Sequence, residues 1–196
     1  MVSGKEAKKR MEEDGILRKY GMDLLGAQLL NLGVTLLIAV ISRRFLEILL
    51  FVPVFTSLRR YAGGYHGKNN RECFWLSSAI MAVSIFAIVC LENWMAVSPD
   101  AIIILALWEF ATGIFICMTA PVAAEKKPLD ALEKKVYGRR AILVLGIQMI
   151  IAYLLLFLIG GIGSVVVVAH SVIATSMLCA KILKYTRRPQ YENPDS

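Results

Sequence analysis

Apolar residues gather along this chain into long stretches near 21–41, 44–58, 74–91, 101–120, 141–159 and 163–180, and polar or charged residues collect between them. A helix rises about 1.5 Å per residue, so a stretch of roughly 20 residues matches a hydrocarbon core of about 30 Å. The pattern predicts an all-α fold: a polytopic membrane helix bundle of about six transmembrane helices, with both termini on one side. The second stretch is the weakest. Its 15 residues reach only about 22 Å, and it contains Glu47 and Pro53, so a bend or a locally thinned bilayer is expected there.

Composition agrees with this pattern. The chain has 196 residues, about one domain, yet 57% of them are hydrophobic, more than a soluble domain of this size carries. Mean hydropathy is +0.61. Only two internal connections exceed ten residues, so residues 1–196 read as a single integral membrane domain. It comprises an N-terminal segment 1–20, loops 59–73 and 121–140, and a tail 181–196.

A net charge of +7 could serve nucleic acid, anionic lipid or an acidic partner, and its placement decides the matter. With the N-terminus inside, twenty of the 22 Lys and Arg residues fall on the inner segments, and only Arg43 and Arg44 fall outside. Basic residues are retained on the cytoplasmic face, so this split predicts cytoplasmic termini and a cytoplasmic face for both longer loops. Topology thereby accounts for the charge, and no nucleic-acid partner is expected. The N-terminus lacks the apolar core and cleavage site of a signal peptide. Cys90, Cys117 and Cys179 lie within apolar stretches and Cys73 at the edge of one, so free thiols are expected. There is no Gly-rich phosphate loop, zinc spacing or internal repeat, and no cofactor is called for.

Candidate chemistry concentrates in the loop 59–73, which contains Arg59, Gly63, Gly64, His66, Gly67 and Cys73. A histidine and a cysteine are the minimum for thiol nucleophilic catalysis, the imidazole taking the thiol proton and returning it to the leaving amine. Their spacing of seven permits contact if residues 67–70 turn back. Asn69 or Asn70 is placed to cap a helix beginning near Arg71. Cys73 would then occupy its first turn, where unpaired N–H groups favour a thiolate and could hold an oxyanion. Gly63, Gly64 and Gly67 admit backbone angles closed to other residues. The plainer alternatives are an inert cysteine at a helix end and a solvated histidine.

Arg59, the run Gly63, Gly64, Tyr65, His66, and Cys73 seven positions after the histidine resemble the accessory gene regulator B (AgrB) family of membrane cysteine endopeptidases in quorum sensing. The segment from Ala120 and Pro121 to Lys126, Lys127 and Pro128 is similar to a second stretch of that family. The resemblance implies that His66 and Cys73 are the catalytic pair and that Arg59 and Gly64 shape the site. It further implies a partner: a small amphipathic propeptide with an acidic tail, which the family cleaves and closes into a thiolactone or lactone. Lys126 and Lys127 belong to a basic inner loop that would hold that tail. No third catalytic residue is assigned, with Gln28, Asn31, Glu47 and Ser77 all open, and homodimerisation is likewise open.

Ionisable residues inside the stretches each need a partner, since a charge at the bilayer centre costs about 2.5–3.5 kcal/mol on the insertion scale. Glu47 follows Arg43 by four residues, and a pairing at the rim would suffice. Glu109 and His170 lie mid-stretch and would meet across the bundle. Their pairing suits a buried structural hydrogen bond or, more sharply, the ion path of a small transporter or peptide export channel, which is the alternative function. A non-catalytic scaffold is the third reading.

Overall fold

The computed structural model describes residues 22, 26, 29–65, 70–122 and 130–187, with residues 70 and 184–187 described by backbone alone. Among the described residues six helices follow one another: α1 Leu29–Ser42, then α2 Phe45–Ala62, α3 Asn70–Val97, α4 Ala101–Thr119, α5 Ala131–Leu158 and α6 Gly163–Arg187. Four of them, α3 to α6, are long and apolar enough to cross a membrane. The chain is therefore a polytopic helical membrane protein. Helix α2 continues through Arg59 and Arg60 to Ala62, and Pro53 lies within it without ending it. Its 18 residues span about 27 Å, more than the apolar stretch alone predicts.

Helix α6 is the centre of the bundle and packs on α2, α3, α4 and α5. Eight consecutive residues, from Gly163 to His170, are buried, as expected of a helix with neighbours all round. One apolar layer joins Phe51, Ile88, Val165 and Val166. A second, nearer the other rim, joins Leu58, Ile116, Leu145, Ile173 and Met177.

A central helix leaves its polar side chains neither water nor headgroups, so His170 is partnered within the protein. Its Nδ1 lies 2.5 Å from Glu109 Oε1 on α4 and its Nε2 lies 2.9 Å from Gln148 Oε1 on α5. The Gln148 amide in turn donates to the Val54 carbonyl at 3.1 Å and to Ser57 Oγ at 2.9 Å, both on α2. A carbonyl only accepts, so Gln148 must point its NH2 at Val54 and its oxygen at His170. His170 Nε2 therefore carries a hydrogen. The 2.5 Å contact on the other side also requires a proton between Nδ1 and Oε1, because two bare lone pairs would repel. Whichever atom holds it, histidine and glutamate together have no net charge. The predicted Glu109 and His170 pair thus exists, and Gln148 extends it so that one network ties four helices.

The Arg43 and Glu47 pairing does not form. Arg43 adopts φ of 54° in the turn between α1 and α2, outside either helix, so a spacing of four no longer aligns it with Glu47. Arg44 takes its place, donating to Glu47 at 2.7 Å and also to Glu92 of α3. Helix α5 begins ten residues before its apolar stretch, started by a capping box. Asp130 accepts from the Ala131 N–H at 2.7 Å, and Glu133 accepts from the Asp130 N–H at 3.3 Å. The four cysteines are free and exposed.

Candidate active site

The end of α2, the start of α3, the end of α4, the start of α5 and the last turns of α6 lie at one rim of the bundle. There the two longer connections meet. After Ala62 the chain turns at Gly63, whose N–H closes the helix onto Arg59 O at 3.0 Å. The Ala62 carbonyl then accepts from the Val122 N–H at 2.9 Å, and Gly63 and Val122 form a short parallel bridge. Gly63 has φ of 80°, and a β-carbon on it would stand 2.1 Å from the Val122 carbonyl oxygen. Only glycine satisfies both demands.

Gly64 is the second constrained position, with φ of 131° and room for a β-carbon only 2.7 Å from Ser176 Oγ on α6. Tyr65 follows, and its N–H reaches Ser176 Oγ at 3.1 Å and Ser176 O at 3.2 Å. Arg59 completes the arrangement. Its guanidinium donates through Nη1 to Ser176 Oγ at 3.0 Å and through Nη2 to the Tyr65 carbonyl, while its Cζ stands 5.4 Å from the Phe55 ring centroid. This planar fork has two fixed directions and an aromatic face, three contacts that a lysine ammonium does not reproduce together. Arg59 is therefore more than a topology signal.

Cys73 lies in the first turn of α3 and is exposed, where the sequence places it. It sits within electrostatic range of Arg59, which lies past the apolar stretch 44–58. Burial lowers the Arg59 guanidinium from its ordinary value, and attraction to the Cys73 thiolate opposes that change. His66, Lys126 and Lys127 lie outside the described residues, as do Gly67 and Asn69. The predicted contact between His66 and Cys73 accordingly has no geometry here, although Tyr65, the residue before His66, is held in place.

Among the four residues left open as a third catalytic member, Glu47 drops out. It stands at the start of α2, twelve residues or about 18 Å from Arg59, and it is occupied by Arg44. The structure adds two residues to which the sequence assigned no role. Val122 supplies the second wall of the loop. Ser176 has partners 111 and 117 positions away, so nothing in its own neighbourhood marks it.

The model of the family described as accessory gene regulator B matches residues 3–183. Relatives agree at low identity. An AgrB-like protein of Listeria innocua is 26% identical over 92% of this chain and 87% of its own length. An AgrB-like protein of Listeria welshimeri is 24% identical over the same shares. An AgrB-like protein 2 of Clostridium perfringens is 25% identical over 60% of this chain and 55% of its own. No solved structure matches.

Proposed function

The chain belongs to the accessory gene regulator B family, and from that premise we propose that this membrane protein is a cysteine endopeptidase that cuts and cyclises a small quorum-sensing propeptide. The observation that carries the reading is the rim geometry. An exposed thiol in the first turn of a helix lies in range of a guanidinium, and that guanidinium grips the residue next to His66.

The chemistry follows from the residues. His66 takes the proton from Cys73, and the thiolate attacks the carbonyl carbon of the scissile amide. Backbone N–H groups at the start of α3 would face the negative oxygen of the tetrahedral intermediate. The C–N bond breaks as the imidazolium returns its proton to the leaving amine, giving an acyl thioester on Cys73 and a free tail. A thiol of the peptide then gives its proton to His66 and attacks that thioester, a ring thioester forms, and Cys73 leaves as a thiolate that takes the proton back. The first step runs uphill, since an amide is the more stable linkage. The second is nearly isoenergetic, and holding the peptide thiol beside the acyl carbon gives it a large effective molarity over water. The forward pull comes from departure of the tail.

The split of basic residues supports a cytoplasmic active site with both termini inside. Glu109 and His170 give little support to transport, because both are fully enclosed and bonded to each other.

Incubating the protein in vesicles with propeptide and quenching in acid tests the reading. Mass spectrometry should find a hydroxylamine-labile acyl adduct on the tryptic fragment containing Cys73. Processing that proceeds without any adduct at Cys73 overturns it. Replacing Lys126 and Lys127 together by glutamine should slow propeptide capture by roughly three- to tenfold at low salt and leave insertion intact. The difference should shrink as ionic strength rises past about 0.15 M, where screening acts within about 8 Å. Kinetics unchanged at low salt would return the two lysines to a purely topological role.

A further inference from the structure

The Ser176 side chain touches both halves of the loop's anchorage, Arg59 and Tyr65. Its hydroxyl oxygen has two lone pairs, and both face the loop, one accepting from Arg59 Nη1 and the other from the Tyr65 N–H. Arg59 then closes the circuit on the Tyr65 carbonyl. Both polar groups of the Tyr65 backbone are held, and Ser176 stands behind each of them. Gly64 shows how closely the loop is pressed on this hydroxyl, since even a methyl group there would stand 2.7 Å from it.

The Tyr65 carbonyl belongs to the same planar peptide unit as the His66 nitrogen and α-carbon. Fixing that carbonyl fixes the plane from which His66 departs. Ser176 also aims the guanidinium that interacts with Cys73. We propose that Ser176 is the positioning residue of the peptide-processing reaction: a hydroxyl on the central helix that orients Arg59 and the peptide unit leading into His66. This rests on the reading of His66 and Cys73 as the reacting pair.

A misplacement of about 1 Å far from the bond being broken costs about 10²-fold in rate, which sets the scale. In vesicles, Ser176→Ala should lower kcat for propeptide cleavage by about 30- to 100-fold while KM changes by less than about threefold. Ser176→Thr keeps the hydroxyl and should restore kcat to within about fivefold of wild type, which a purely packing role would not produce. Arg59→Met should resemble Ser176→Ala, and the double variant should be no slower than the slower single one, because the two act as a unit. Wild-type kcat in Ser176→Ala, equal losses in the alanine and threonine variants, or multiplying losses in the double variant each overturn the proposal. If Ser176→Ala fails to insert, the threonine variant and Arg59→Met decide by the same criteria. The parallel Cys73→Ser variant separates the two readings. Its full activity sinks the cysteine mechanism itself, whereas an inactive Cys73→Ser beside a normal Ser176→Ala removes only the role of Ser176.

Discussion

Cys73→Ser and His66→Ala will each reduce cleavage of the propeptide by about 10³-fold or more, and the double variant will lose no more than the worse single one. A serine hydroxyl is a far weaker acid and nucleophile than a thiol, so the first change removes the nucleophile without altering the fold. The second removes its base. Because each is useless without the other, their effects do not multiply. Single-turnover assays in vesicles, with cleaved tail measured by mass spectrometry, give the three rates. Helicity and membrane insertion should match wild type in all three, as Cys73 is exposed in the first turn of its helix. Full activity in either single variant removes the mechanism, and multiplying partial losses would assign the residues separate tasks.

Gly63→Ala will impair processing by roughly 30- to 150-fold through backbone geometry alone. An L-residue at φ of 80° costs about 1–2 kcal/mol. The added carbon would meet a main-chain oxygen, that of Val122 at 2.1 Å, and no trimming of a side chain relieves it. The bridge must open, losing the Val122 to Ala62 hydrogen bond, worth about 1 kcal/mol. A combined 2–3 kcal/mol corresponds to roughly 30- to 150-fold fewer correctly assembled loops at 1.4 kcal/mol per factor of ten. The four long apolar helices do not depend on this contact, so insertion should persist while cleavage falls. Gly64→Ala provides the contrast, since its obstacle is a hydroxyl. Replacing Ser176 by glycine in that background would remove the steric part of the cost, a relief unavailable at Gly63. Near-normal cleavage by Gly63→Ala would show that the bridge is dispensable.

Among the described residues each helix coincides with an apolar stretch, because lipid demands continuous hydrophobicity whatever the packing. The stretches misplaced the ends, because a helix continues wherever its polar turns find partners in the aqueous rim. Helix α5 illustrates this. Asp130 and Glu133 spell a helix start in the sequence, but hydropathy alone ignores it. Arg44 shows a related limit, as a one-residue break between helices reassigns the partner of Glu47. Glu109 and His170 were legible as a pair because ionisable groups inside hydrocarbon have few choices. Gln148 carried no such signal, being neutral and common. At the site, Arg59, Gly63, Gly64 and Cys73 stood out by residue type and spacing. Ser176 could not, since a serine in a helix is ordinary until the fold brings a distant loop onto it.

The proton shared by Glu109 and His170 has an electrical consequence. An uncompensated charge in the bilayer feels about 2.3 kcal/mol per 100 mV of membrane potential. The enclosed pair is neutral in both of its arrangements, so the potential exerts no net force on the core of the bundle. Transfer of the proton from one atom to the other moves charge by about 1 Å in a thickness of about 30 Å, less than about 0.1 kcal/mol at 100 mV. The enclosed pair therefore gives the voltage across the membrane no handle on the central helix that carries Ser176.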